Sequence, residues 1–338
     1  MNSRAQILIR SGVDLKTFRE EIVPANEPVL LKGLVGDWPA VRAGLESAYA
    51  LGAYLRGLDQ QKPVAVLEGA PAIRGRFFYR EDMRGLNFER RPATISATID
   101  RLLAQMETPE PPSLYIESTP TAEHLPAFAS TNANPLLPPT IIPRIWVGNQ
   151  LTVQTHFDLS SNIACVVGGR RRFTLFPPDQ VANLYVGPID FTVSGPPLSM
   201  VSLHSPDLGK YPRFATALEH SRVAELSPGD ALFIPYAWWH HVDSLAPFNV
   251  LVNYWWNEAR QTGSPFDSML HAMLTLRDLP PAQREAWRAM FDHYVFTAPE
   301  DALGHLPREQ RGMLGPPSPE RTNTIRGILA RVFGRPVP

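Results

Sequence analysis

Between residues 140 and 258 apolar residues fall in short runs broken by turn residues. The runs are Ile141 to Val147, Leu151 to Phe157, Asn162 to Val167, Arg171 to Phe176, Arg222 to Leu226, Ala231 to Ile234, Val242 to Leu245 and Asn249 to Trp256. Many short strands at this spacing predict a β-sandwich or barrel. Ser227-Pro-Gly-Asp predicts a tight hairpin, since proline presets φ and Gly229 supplies the positive φ of a type II turn. Residues 1 to about 139 mix periods. Asp14 to Glu21 and the stretches Ser47–Leu58 and Thr94–Met106 read as helices, while Glu27–Lys32 and Ser113–Glu117 read as strands. From 259 to 338 the pattern returns to helix. Ser264-Pro and Ser318-Pro are helix starts, and apolar stripes include Met269, Leu270, Trp287, Met290, Ile328 and Phe333. These stripes are most simply core packing, and a dimer interface is the sharper reading. The expected architecture is mainly β: a core at about 140–258, an N-terminal α/β extension over 1–139 and a C-terminal helical region over 259–338. The irregular stretch from 186 to 218 is rich in Gly, Pro and Ser, as a lid or a surface insertion would be.

Composition narrows the picture. The 338 residues include 35 prolines, about twice the usual ~5% share, which excludes a long coiled coil. Lys plus Arg number 32 against 33 acidic residues, a net charge of -1, so no basic excess marks a nucleic-acid binder. One cysteine, Cys165, allows neither an internal disulfide nor a Cys-based zinc site. No secretory signal or membrane-spanning run is visible, so the expectation is a soluble, cytoplasmic protein with no membrane partner. Lysine occurs only at 16, 32, 62 and 210, so an anion held in the central region needs an arginine or a neutral donor.

P-loop, GxSxG, HExxH and GxGxxG motifs are all absent. Among the nine histidines, His156-Phe157-Asp158 stands in a strand pattern, where alternation puts His156 and Asp158 on one face and Phe157 on the other. His240, in Pro235-Tyr-Ala-Trp-Trp-His-His-Val, is the candidate third partner. Two histidines and one carboxylate with open positions form the facial triad of non-haem Fe(II) oxygenases. An isolated H-x-D is weak evidence, and His240 alone reads as a packed core histidine. The joint pattern of H-x-D, P-G-D, a hydrophobic strand and W-W-H-H-V is far more specific.

That joint pattern resembles the cupin-like branch of the JmjC oxygenases, near the factor-inhibiting-HIF asparaginyl hydroxylase family. The segments that carry the resemblance are IWVGNQLTVQTHFD, GGRRRFTLFPPDQVANLY and LSPGDALFIPYAWWHHVDSL with NVLVNYWW. EPVLLKGLVGDWPA and SLYIES match more loosely. The resemblance implies a double-stranded β-helix (jelly-roll, cupin) core. It also implies Fe(II) held by His156, Asp158 and His240, with His241 on the opposite face. The implied cosubstrates are 2-oxoglutarate and dioxygen. Tyr115 would reach the distal carboxylate of 2-oxoglutarate, Asn162 and Asn253 would bond near its chelating end, and Trp255 would wall the pocket. Two positions depart from the family pattern. Arg171 stands where a lysine is common, and Val153 where a threonine is. Alternation turns Arg171 inward and leaves Arg170 and Arg172 outside, and an arginine can grip a carboxylate with two bonds. Phe157, Trp238, Trp239 and Trp255 suit a water-excluding shell, although barrel core is the simpler reading for Phe157 and Trp238.

The expected activity is hydroxylation of a protein or peptide side chain. A small-molecule hydroxylase of the same chemistry, a non-catalytic cupin-type binding module and a metal-dependent isomerase or sugar-binding cupin are the competing readings. The expected assembly is a homodimer through the C-terminal helices.

Overall fold

The computed structural model describes residues 5–257 and 263–334. The chain divides into two compact units, Met1–Glu258 and Ala259–Pro338. In the first, β1 (Ala5–Gln6), β2 (Leu8–Ser11), β3 (Val29–Lys32), β4 (Val64–Gly69), β5 (Phe88–Ala93) and β6 (Ser113–Pro120) precede the core. The core strands are β7 (Arg144–Gly148), β8 (Thr152–Phe157), β9 (Ser161–Gly168), β10 (Arg171–Phe176), β11 (Arg222–Leu226), β12 (Ala231–Ile234), β13 (Trp239–Ser244) and β14 (Asn249–Trp256). They form two facing sheets: a five-stranded one, β1-β11-β10-β13-β8, and a nine-stranded one, β2-β3-β12-β9-β14-β7-β6-β4-β5. Strands β7 to β14 contribute four to each sheet and switch sheets at every step except between β10 and β11, which pair side by side in the small sheet, as in a jelly roll. The mainly β expectation is met.

The order of apolar residues explains the layering. On β9, Ala164 and Val166 face the interior between the sheets, while Ile163, Cys165 and Val167 face the other way. On β14, Leu251 lies inside, and Val250, Val252 and Tyr254 lie outside. That outer face of the large sheet is covered by helices Pro39–Glu46, Ala48–Leu58 and Ile95–Ala104, which bury Val41, Leu51, Leu55, Ile95, Ile99 and Leu102. A strand buried on both faces reads as a continuous apolar run, and SNIACVVG on β9 is buried at every position. The predicted helices start where their caps stand. Asp14, Ser47 and Thr94 each accept a hydrogen bond from the backbone N–H three residues on.

Two glycines set hairpins that the site depends on. Gly229 adopts φ +96° in the Ser227–Asp230 turn. The Asp230 carboxylate pins that turn by accepting from the Ser227 and Gly33 N–H groups and from Lys32 Nζ. Gly169, at φ +73°, turns β9 into β10, and a Cβ there would lie 2.3 Å from Asn249 Oδ1. The segment from Pro188 to Pro212 contains no helix and pairs only through the isolated bridge of Leu198 with His156, joined to that of Ser199 with Val186.

In the second unit, helices Pro265–Leu276, Pro281–Phe291 and Pro319–Phe333 bury none of their residues, while Ala302, Leu303 and Arg311 between them are buried. Ser264 and Ser318 cap their helices as the sequence predicts. Among the described residues no helix is long and apolar enough to cross a membrane.

Candidate active site

The register of β8 against β13 brings the metal-type donors together. His240 lies directly opposite His156, and their rings are 4.3 Å apart. The pairing then slips, with Val242 opposite Val153. Two residues of β8, Gln154 and Thr155, therefore oppose the single His241. This bulge lets Val153 and His156, an odd number of positions apart, both line the interior cavity. Asp158, one residue past the end of β8, completes the group, with Oδ2 3.6 Å from His240 Nε2. One nitrogen, one nitrogen and one carboxylate oxygen fall within 4.8 Å of one another.

The surroundings fix these three groups. His156 Nδ1 faces the Gln154 carbonyl at 2.8 Å and His240 Nδ1 faces the Trp238 carbonyl at 3.0 Å. Each Nδ1 is thereby held as the donor, and each Nε2 keeps its lone pair for the cavity. Burial, and after it the neighbouring His240, hold His156 far below the ordinary imidazole range, at about 4, so it is neutral near pH 7. Asp158 Oδ2 accepts from Trp255 Nε1 at 3.0 Å and, at the long distance of 3.5 Å, from Asn162 Nδ2. Asn253 Nδ2 donates to Asn162 Oδ1 at 3.2 Å, and Trp146 Nε1 donates to Asn253 Oδ1 at 2.7 Å. The chain Trp146–Asn253–Asn162–Asp158 is a polar ladder across the inner face of the large sheet.

Arg171 forms the far end of the cavity. Alternation along β10 turns Arg171, Phe173 and Leu175 inward, whereas Arg172 pairs with Glu225 on the neighbouring strand. Arg171 is only 2% exposed, and neither Nε nor Nη2 has a hydrogen-bond partner. Burial lowers its pKa, and the Tyr115 hydroxyl against it opposes that shift. Burial in turn pushes the Tyr115 hydroxyl up to about 12, so Tyr115 stays a neutral donor. Among the described residues no carboxylate pairs with this buried cation, which costs several kcal/mol unless something else pairs with it.

All eight residues singled out from the sequence line this one cavity: Tyr115, His156, Asp158, Asn162, Arg171, His240, Asn253 and Trp255. The aromatic shell is corrected in part. Trp255 walls the site, but Phe157 and Trp239 pack edge to face on the outside of the small sheet with Phe176 and Phe214, and Trp238 packs in the barrel core. Trp146 was not anticipated. It stacks on Tyr115, meets Trp255 edge to face and orients Asn253. Its signal was the inward position on β7, one strand from Asn253. The site opens through a second cavity of about 260 Å³ lined by Leu67, Phe77, Glu117, Val193, Ser194, Pro196 and Leu198. At this mouth burial raises the pKa of Glu117, while Arg90 and a hydrogen bond from Ser194 pull it down.

A jelly roll whose interior gathers two imidazoles, a carboxylate and a buried arginine defines a cupin-type domain with a donor set that could hold a metal ion. The comparison with known families agrees: the Cupin-like domain model matches residues 15–262, and the chain belongs to that family. Lysine-specific demethylase JMJ31 of Arabidopsis thaliana is 40% identical over 111 residues, 33% of this chain and 20% of the relative. Human HSPB1-associated protein 1 is 38% identical over 114 residues, 33% of this chain and 22% of the relative. The chain thus matches about a fifth of the length of these relatives. A longer match, 28% identical over 75% of this chain and 76% of the relative, is to tRNA wybutosine-synthesizing protein 5 of Danio rerio.

Proposed function

We propose that this protein is an Fe(II)- and 2-oxoglutarate-dependent oxygenase that hydroxylates a protein or peptide side chain. Its family includes Fe(II)/2-oxoglutarate oxygenases. The observation that carries the reading is Arg171: a buried guanidinium with two unanswered nitrogens, sharing one cavity with His156, Asp158 and His240. A dicarboxylate with a 2-oxo group fits both ends of that cavity.

In this reading His156, Asp158 and His240 hold Fe(II), and the bound metal with 2-oxoglutarate supplies dioxygen activation coupled to decarboxylation. The protein's own residues do the rest. Arg171 and the Tyr115 hydroxyl grip the distal carboxylate of the cosubstrate. Trp255 and Asn162 hold the Asp158 carboxylate in one orientation. Trp146 and Asn253 hold Asn162 in turn, and Val153, Phe173, Val242 and Leu251 keep water from the cavity. Substrate enters by the mouth at Leu67, Phe77, Val193 and Leu198, whose apolar rim with one acid, Glu117, suits a side chain on an extended peptide. The net charge of -1 supplies no general attraction for a polyanion, which favours a peptide over a nucleic acid.

Succinate release under air with Fe(II) and 2-oxoglutarate tests the assignment. The wild type is expected to turn over slowly even without substrate, and Asp158→Ala to lose this turnover with its iron. Retained turnover in Asp158→Ala refutes the role of that carboxylate. A binding module without turnover would release no succinate from either chain. For assembly, the proposal is a homodimer through the second unit, whose amphipathic helices leave Leu274, Trp287, Met290 and Phe333 exposed. Sedimentation should show a dimer that Leu274→Glu with Trp287→Glu converts to monomer, and a dimer that survives both changes places the interface elsewhere.

A further inference from the structure

Strand β13 carries adjacent histidines, and the one the cavity does not use has its own surroundings. His241 turns to the opposite face of the small sheet and is 1% exposed. Its Nδ1 meets Thr155 Oγ1 at 3.2 Å, but its Nε2 has no hydrogen-bond partner. Asp243, two residues on and on the same face, is 5% exposed. Its Oδ1 accepts from Thr152 Oγ1 at 3.1 Å, lies 2.8 Å from His204 Nε2 and lies 3.4 Å from His241 Nε2, while its Oδ2 has no partner. His204 comes from the long segment between β10 and β11, its side chain 56% exposed and its ring 5.5 Å from that of His241. Two imidazoles and a carboxylate again offer donor atoms within 4.8 Å of one another.

A hydrogen-bonded polar cluster would satisfy its own buried atoms, whereas here His241 Nε2 has only the long 3.4 Å approach to Asp243 Oδ1 and Asp243 Oδ2 has no partner. The spacing has a simple chemical match. Zinc bonds of about 2.0–2.1 Å in a tetrahedron put neighbouring donor atoms roughly 3.3 Å apart. The His241–Asp243 separation of 3.4 Å already fits. The 2.8 Å between His204 and Asp243 needs a small opening, which the exposed His204 is free to make. Imidazole and carboxylate donors suit zinc, whereas calcium and magnesium favour oxygen donors throughout. His204 and Asp243 also border a cleft of about 550 Å³ that provides a route for the ion and room for a water at the fourth position.

We propose that His204, His241 and Asp243 form a second metal site, able to take Zn²⁺, on the outer face of β13. The bound ion clasps the segment carrying His204 to the sheet. That segment also brings Val193 and Leu198 to the mouth of the active site, so the metal fixes one wall of substrate entry. The site is independent of the oxygenase reading, because none of its three residues lines the inner cavity.

The test uses the full chain, stripped with chelator, reloaded with Zn²⁺ alone, desalted and analysed for metal. The expected result is one fewer bound zinc in His204→Ala than in the wild type, and the same loss in Asp243→Asn. His204→Ala removes an exposed ring and leaves the fold intact, so it decides the matter if Asp243→Asn fails to fold. A second readout is limited proteolysis between residues 186 and 213. Zinc should slow cleavage several-fold in the wild type and have no effect in His204→Ala. Equal zinc content in wild type and His204→Ala, or equal protection of the two, overturns the proposal.

Discussion

Replacing Arg171 with methionine separates a binding role from a structural one, because the two predict opposite signs. The side chain is fully buried, with Nε and Nη2 unanswered. If these nitrogens grip the distal carboxylate of 2-oxoglutarate, Arg171→Met removes two charge-assisted hydrogen bonds. At roughly 1.5–3 kcal/mol each, the loss is about 3–6 kcal/mol. That weakens 2-oxoglutarate by roughly two to four orders of magnitude. Without ligand the sign reverses. A buried cation lacking a counter-charge destabilises the fold, and an apolar side chain of similar length relieves that cost. Melting of the ligand-free protein should therefore occur at an equal or higher temperature in Arg171→Met. Calorimetric titration of 2-oxoglutarate into the Mn(II)-loaded protein, paired with thermal melts, reads both effects. Arg171→Lys should fall between, since an ammonium keeps the charge but not the planar fork. Unchanged affinity in Arg171→Met, or a large fall in the melting temperature of the ligand-free protein, refutes the reasoning.

Trp255→Phe keeps the cavity wall but removes the hydrogen bond to Asp158 Oδ2, and should weaken Fe(II) binding by about 10- to 100-fold in a competition titration. Gly169→Ala should destabilise the protein by more than about 1 kcal/mol in urea, because φ is +73° and the new Cβ would meet Asn249 Oδ1 at 2.3 Å. Glu117→Gln removes charge at the mouth without touching the inner cavity. It should change the KM for a peptide substrate and leave 2-oxoglutarate affinity unaltered, as steady-state kinetics would show.

The site was legible in the sequence where period and chemistry coincide. Alternation paired His156 with Asp158, and the family resemblance together with alternation turned Arg171 inward, because β8 and β10 have one face on a polar cavity. The strand over Trp239–Ser244 was only partly legible. Trp-Trp-His-His breaks the apolar alternation, since both of its faces are functional or buried, and its start was not visible. β5 escaped notice for a related reason: FERRPA is an edge strand, exposed along most of its length, without an apolar face to mark it. The slip at Gln154–Thr155 cannot be read from period at all, because it depends on the partner strand. Trp146 and His204 entered through tertiary contact. Each lies far along the chain from the residues it serves, Asn253 and Asp243.

On the proposed reading, one cavity of this chain gathers a ferrous ion and a 2-oxo dicarboxylate. Anaerobic addition of Fe(II) and then 2-oxoglutarate to the wild-type protein, followed by absorption spectroscopy, tests it most directly. The expected result is a visible metal-to-ligand charge-transfer band that appears only when both are present and is absent in Asp158→Ala. Bound iron that gives no such band with saturating 2-oxoglutarate rules out the shared iron and 2-oxoglutarate site.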